Sequence, residues 1–220
     1  VADSTFGFAF EPAVARDAAH GEDSALVAGL KSGEDWAYEA LIRRYQQAIY
    51  SLVFRLLDDP SEASDVVQEV FFKVFRSVGS FRGQASLKTW IYRIAVNEAH
   101  NHRRWFGRRR RREMGITPGE DDGCPNFAAD AGASPFQAAA TAETLGIIEE
   151  ELARLNESYR AVVVLRDIED LEYDEIAQVL DVSLGTVKSR LVRGREALRK
   201  RLEERMGAAA RLQFVPAAAD

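Results

Sequence analysis

Trp90, Arg93, Asn97, Asn101 and Arg104 recur at intervals of three and four residues. An aromatic face, two amides and two guanidiniums on one helical stripe can stack on a base, hydrogen-bond its edge and neutralise its phosphates. This is the chemistry needed by a protein that holds a nucleic-acid strand whose bases have left the duplex. The segment just before it, Phe81-Arg82-Gly83-Gln84-Ala85-Ser86, can wall a pocket for such a base. The plainer alternative is that Trp90 is simply core. A second set, Asp65, Gln68, Glu69 and Phe72, falls at i, i+3, i+4 and i+7. A Phe among acids and an amide reads either as a docking surface for another protein or as an acidic face with Phe72 tucked inward. A third set, Thr186, Lys188, Ser189, Arg190, Arg193 and Arg195, crowds polar and basic groups near the start of a helix. That is what reading a DNA major groove requires, against the alternative of a solvated basic face.

Enzymatic readings find little support. The chain has no phosphate-binding Gly-rich loop ending in Lys-Ser/Thr, no zinc-protease helix signature and no Cys-x-x-Cys pair. His100 and His102 are two apart and point in different directions on a helix. The one cysteine, Cys124, is their only nearby partner in sequence. The expectation is therefore no metal, no cofactor and no small-molecule substrate, and a non-catalytic protein that lends specificity to an enzyme.

These residues must be positioned by helices. In Trp36–Leu57, Leu41, Tyr45, Ile49, Leu52 and Leu56 recur with helical period. Asp58-Asp59-Pro60 breaks that run, and Ser61 can cap the next helix, which buries Val67, Phe71, Val74 and Val78. Gly79–Ser86 reads as a loop, and Thr89–Trp105 as a helix with Ile91, Ile94 and Ala95 inward. Further on, Thr144–Leu155 and Ser158–Arg166 are helical, and the β-prone Val162–Leu165 is read as a buried helix segment because its flanks are helical. Tyr173–Leu180 is a short amphipathic helix with Ile176, Ala177 and Leu180 on one face. After Asp181-Val182, Ser183 caps a helix from Leu184 that keeps Val187, Leu191, Leu198 and Leu202 on one side. The fold class is all-α: two small helical domains joined by a flexible linker. The boundaries are an extension over 1–22, a first domain over 23–106, a linker over 107–138, a second domain over 139–206 and a tail over 207–220.

Charge follows the same division. The net charge of −6 hides segregation: Arg103–Arg112 holds seven arginines in ten residues, and Lys188–Arg205 eight basic residues against three acids. Glu113–Asp130 is acidic. Two basic surfaces joined by an acidic tether suit a nucleic-acid binder. The hydrophobic share of 46% supports packed cores, and no window approaches the ~18 apolar residues of a membrane span. Asp3 and the lack of a basic start argue against a signal peptide. A single cysteine suits a reducing cytoplasm.

Asp65-Val66-Val67-Gln68-Glu69-Val70-Phe71 and Phe81–Asn97 resemble region 2 of the extracytoplasmic-function (ECF) sigma factors of bacterial RNA polymerase. Ile176-Ala177 and Gly185–Arg195 resemble region 4 of that family. The resemblance covers roughly residues 23–106 and 139–206. It implies a subunit that binds core RNA polymerase and directs it to promoter DNA, with an anti-sigma factor as a further partner. The resemblance implies that Asp65, Gln68 and Glu69 lie in the core-binding surface, and the stripe adds Phe72. It implies that Asn97 with the Phe81–Ser86 loop, Arg82 and Ser86 included, captures a base of the opened −10 element, and the stripe adds Trp90, Arg93, Asn101 and Arg104. It implies that Lys188, Ser189 and Arg193 read the −35 duplex, beside which Thr186, Arg190 and Arg195 are expected to touch the same DNA. Where the family carries Gly-Leu-Ser-Tyr, this chain has Asp170-Leu171-Glu172-Tyr173, and Glu is a poorer helix cap than Ser. The Arg108–Arg112 run is unusually dense. The recognition helix contains Gly194, which costs helix propensity unless it permits a close approach of the backbone to DNA or another helix. The competing readings are a stand-alone DNA-binding regulator with a sensor or dimer domain and, more distantly, a helical nucleic-acid-processing enzyme.

Overall fold

The structure is a computed structural model that describes residues 13–113 and 135–206, with side chains over 23–105 and 144–205. The first twelve residues, the acidic tether with Cys124 and the tail from Gly207 lie outside the described residues. In chain order the helices are α1 (Ala13–Ser32), α2 (Asp35–Leu57), α3 (Pro60–Ser77), α4 (Leu87–Glu113), α5 (Pro135–Ala153), α6 (Glu157–Val163), α7 (Tyr173–Leu180) and α8 (Leu184–Met206). A 3-10 turn, Val78–Ser80, follows α3, and a π-helical turn, Val164–Ile168, follows α6. No strand occurs among the described residues.

The periodic residues of α2 are buried as their spacing requires, with Leu41, Ile49 and Leu52 fully enclosed. Asp58 ends α2 in the left-handed region at φ 64°, its N–H bonding Phe54 O at 2.7 Å. The cap of α3 is Asp59, where the sequence suggested Ser61. Pro60 takes the first helical position because its missing N–H is no loss there and its φ suits the helix. The preceding residue therefore becomes the cap, and Asp59 Oδ1 accepts from Ser61 N at 2.9 Å and Glu62 N at 3.0 Å. Helix α4 is longer than the apolar pattern suggested. Ser86 Oγ caps it by accepting from Thr89 N at 3.0 Å, and the backbone stays helical through the arginine run. Helix α1 likewise begins at Ala13, inside the stretch that shows no periodicity.

In the second half, Val162–Leu165 is buried and helical as read, but α6 passes at Val164 into the π turn. The wider turn sends Leu171 N to Leu165 O at 3.0 Å, and Asp170 closes it at φ 53°. Asp therefore stands in a left-handed conformation at the position where the family pattern has Gly. The Glu172 N–H that begins α7 is satisfied by the Glu175 carboxylate at 3.0 Å. In α8, Gly194 faces α6: a Cβ there would lie 2.8 Å from Val163 Cγ2 and 3.3 Å from Tyr159 O. The glycine serves helix–helix contact, leaving the opposite face of α8 outward.

The two halves are packed together. Helix α4 lies along α7, and α2 meets α5 and α6. Arg160, only 2% exposed, crosses from α6 to donate to Leu56 O of α2 at 3.1 Å, and Arg103 of α4 donates to the same carbonyl at 3.2 Å. A helix C-terminus leaves such carbonyls without intrahelical partners, so two guanidiniums at one of them suit the end of α2. Burial pushes the Arg160 pKa down to about 10, aided by the like charge of Arg103 and opposed by Asp58 and Glu157.

Candidate nucleic-acid and polymerase interfaces

Three exposed faces carry the residues of interest. On α3, the alternation of Val66, Val67, Val70, Phe71 and Val74 inward leaves Asp65, Gln68, Glu69 and Phe72 outward. Phe72 is 58% exposed, which excludes the reading that tucks it into the core. A large ring held in water beside two carboxylates is a poor solvated face and a good contact for a protein partner.

On α4, Ile91, Ala95, Val96 and Ala99 are buried, and Arg93, Asn97, Asn101 and Arg104 are exposed along the opposite side. Trp90 is half-buried and shares both proposed fates. One part of its ring meets Phe81 with centroids 5.2 Å apart, and its remaining surface joins the same side as Arg93. Phe81, Arg82, Gln84, Ala85, Trp90 and Arg93 form one wall of a cavity of about 590 Å³. The opposite wall is Ala177, Gln178, Asp181 and Val182 from α7 and the turn after it. Gly83, at φ 70°, takes a left-handed conformation in this loop that a residue without a Cβ adopts at no steric cost. Ser86 is half-buried and is engaged as the cap of α4, with Thr89 Oγ1 2.7 Å away.

On α8, Lys188, Ser189 and Arg193 are exposed with Val192, which is 65% exposed, while Val187, Leu191, Leu198 and Leu202 are buried. Thr186 sits at the helix start, where Ser183 Oγ accepts its N–H at 3.2 Å. Arg190 is turned aside toward a smaller cavity lined by His100, Glu157 and Leu180. Arg195 is held by Asp167, which accepts from Nε at 3.1 Å and Nη2 at 2.5 Å. That hydrogen bond is the main cause of its raised pKa. The π turn is what brings Asp167 to Arg195.

Sequence reasoning missed the residues that bind the halves to one another. Tyr92 OH donates to Glu169 Oε2 at 2.7 Å, Lys88 Nζ to Glu169 O at 3.0 Å, and Thr89 Oγ1 to Glu175 Oε1 at 2.9 Å. Burial first, then the Glu169 bond, push the Tyr92 phenol well above its usual range. Arg55 Nε donates to Glu149 at 2.9 Å across the same junction. Tyr92 and Thr89 stand at core positions of α4, and a hydroxyl at a core position is the one available hint that a polar partner awaits it.

The chain thus presents an exposed stripe of amides and guanidiniums beside a half-buried Trp on one half and an exposed polar and basic helix face on the other. Residues 41–111 match the model of Sigma-70 region 2, and residues 145–198 that of Sigma-70, region 4. The RNA polymerase sigma-H factor of Pseudomonas aeruginosa is 37% identical over 83% of this chain and 94% of its own length. The ECF RNA polymerase sigma-E factor of Haemophilus influenzae is 34% identical over 84% of this chain and 97% of its own. The chain belongs to the sigma-70 family and is an ECF-type sigma factor. The fold is that of the sigma factor RpoE solved with the anti-sigma factor NepR from Bartonella quintana, at TM-score 0.62 and 23% identity, covering 76% of this chain and 96% of that one. CnrH, solved with the cytosolic domain of CnrY, gives TM-score 0.59 at 22% identity over 83% and 97% of the two chains.

Proposed function

We propose that this sigma factor docks on core RNA polymerase through Asp65, Gln68, Glu69 and Phe72. It holds the opened −10 strand on Trp90, Arg93, Asn97, Asn101 and Arg104 with the Phe81–Ser86 loop, and it reads the −35 duplex with Lys188, Ser189 and Arg193. Arg195 flanks that last set and takes a phosphate, its guanidinium aimed by Asp167, while Thr186 stands at the helix start and Arg190, turned toward the cavity beside His100, must swing outward to reach a phosphate. The carrying observation is the outward row Arg93-Asn97-Asn101-Arg104 on α4, polar throughout and beginning at the Trp90 ring. A solvated helix face does not need two amides between guanidiniums, whereas base edges and phosphates together do. The protein supplies specificity and no catalytic step, and it works in the cytoplasm. Among the described residues no helix is long and apolar enough to cross a membrane. The neighbour RpoE is bound to the anti-sigma factor NepR, which supports an anti-sigma partner for this chain as well.

The test is open-complex formation by reconstituted holoenzyme. Asn97→Ala should block or slow permanganate-detected melting, at a cost of about 1–3 kcal/mol by analogy with base readout in duplexes, and leave −35 duplex binding intact. Charge reversal at Asp65 and Glu69 should instead abolish co-elution with core enzyme while helicity persists. Normal melting in the Asn97 variant would sink the −10 assignment, and unchanged co-elution of the double variant the core-binding one.

A further inference from the structure

The Phe81–Ser86 loop is held at its ends and free between them. Arg82, Gly83 and Gln84 are exposed, and none of residues 82–85 makes a hydrogen bond to another described residue. The far end is fixed by the start of α4. Ser86 Oγ caps that helix, and Trp90 N donates to Ser86 O at 3.0 Å. The near end is Phe81. Its N–H closes the 3-10 turn on Val78 O at 3.0 Å, but no backbone N–H among the described residues takes its carbonyl. Lys31, in the last turn of α1, does so: Nζ donates to Phe81 O at 2.8 Å.

The two sides of this bond are unequal. Leu26 and Leu30 are buried, which anchors the end of α1. The loop, in contrast, borders a second cavity, of about 940 Å³, with Asp23, Ser24, Val27 and Lys31 on the α1 side and Gly79–Leu87 on the other. A segment over such a space has little packing to hold it. The charged hydrogen bond from Lys31 crosses the space and is stronger than a neutral one. Lys31 lines this cavity, whereas Trp90 and Arg93 line the other. Its ammonium therefore does not face a base stacked on Trp90. What it holds does reach that base, because the Phe81 ring meets the Trp90 ring at 5.2 Å.

Resting on the −10 reading above, we infer that Lys31 is a positioning residue for base capture: it pins the Phe81 carbonyl and so sets the loop against the Trp90 ring. A loop already held in its bound place loses less freedom when a base enters, and the saving appears as affinity for that base alone. Lys31 stands on an element that precedes residues 41–111, the part that matches region 2.

The experiment measures holoenzyme binding to a fork template with a single-stranded −10 element, either intact or abasic at one position at a time. The variants are Lys31→Met, which keeps the stem and removes the donor, and Lys31→Arg, which keeps a donor. In wild type one position shows the largest abasic loss and marks the captured base. Lys31→Met should bind the intact fork about two- to tenfold more weakly, the range for one hydrogen bond. The abasic loss at the marked position should shrink by the same factor, and the losses elsewhere should stay as they are. Lys31→Arg should recover most of the affinity and the marked loss. Wild-type affinity in Lys31→Met overturns the inference. So does weaker binding with every abasic loss unchanged, which makes Lys31 merely structural, and so does lost co-elution with core enzyme. A salt slope lower by about 0.7 assigns Lys31 to a strand phosphate and overturns it too. If wild type shows no abasic loss at any position, it is the −10 reading that fails.

Discussion

At the scale of single residues, direction of exposure separates roles that composition leaves mixed. Arg193 and Arg195 are two apart on one basic helix. Arg193 is exposed beside Ser189 and Val192, while Arg195 is clamped by Asp167. Arg193→Ala should relax preference at one or two base pairs of the −35 element, at about 1–3 kcal/mol each. Arg195→Ala should weaken all promoters alike and lower the salt slope. Selection from a randomised −35 library by holoenzyme checks both, and an Arg193 variant that selects like wild type refutes the assignment. Gly194 lies between them and answers to packing. Ala is intrinsically better in a helix by about 0.5–1 kcal/mol. Its Cβ, however, would meet Val163 Cγ2 at 2.8 Å, and Val163 is too enclosed to move aside. Overpacking costs about 1–3 kcal/mol, so Gly194→Ala should be net destabilising in a denaturant melt.

At the scale of elements, terminations decide where the faces point. The π turn after α6 and the left-handed Asp170 that closes it set the angle at which α7 leaves, and with it the walls of the 590 Å³ cavity. Asp tolerates a positive φ better than most residues but less well than Gly. Its side chain is 83% exposed, with a 3.6 Å approach to Arg166 that contributes little at a surface. Asp170→Gly should therefore raise stability by up to about 1 kcal/mol without altering promoter choice. A fall in the unfolding midpoint would show that the Asp side chain does more than fill the turn.

At the scale of the whole molecule, the halves share a polar junction that includes His100. Its Nε2 is 3.4 Å from Glu157 Oε1 and makes no hydrogen bond. Burial is the main cause lowering its pKa, with Arg103 and Arg104 acting the same way and Glu157 opposing them. Arg190 lines the same cavity. Because the folded pKa lies below the unfolded value of 6.5, the unfolded chain binds the proton more readily. The stability due to neutral His100 is whole above about 6.5 and is lost as pH falls from there toward the folded pKa. The unfolding midpoint should thus fall between pH 7 and 5.5, and His100→Gln should flatten that dependence. An identical slope in the variant would remove His100 from the account.

The sequence by itself determined the helices, the two-part organisation and the candidate faces, because apolar period and cap chemistry are local. Leu41 to Leu56 and Val67 to Val78 had to face inward, and Asp65, Gln68 and Glu69 were left outward by the same geometry. The family motifs carried the functional reading, since residue types at fixed spacing are themselves what a helix presents to a partner. Only the tertiary structure decided the positions where two equally good local solutions competed. Phe72 could have turned in or out, and enclosure of Phe71 and Val74 left it outside. Asp59 and Ser61 could each cap α3, and Pro60 gave the place to Asp59. Gly194 could have faced DNA or a helix, and α6 took it. The bonds from Tyr92, Thr89 and Lys88 to Glu169 and Glu175 join residues 77 to 86 positions apart. No periodicity reports such pairs, because their partners become neighbours only when the two halves pack.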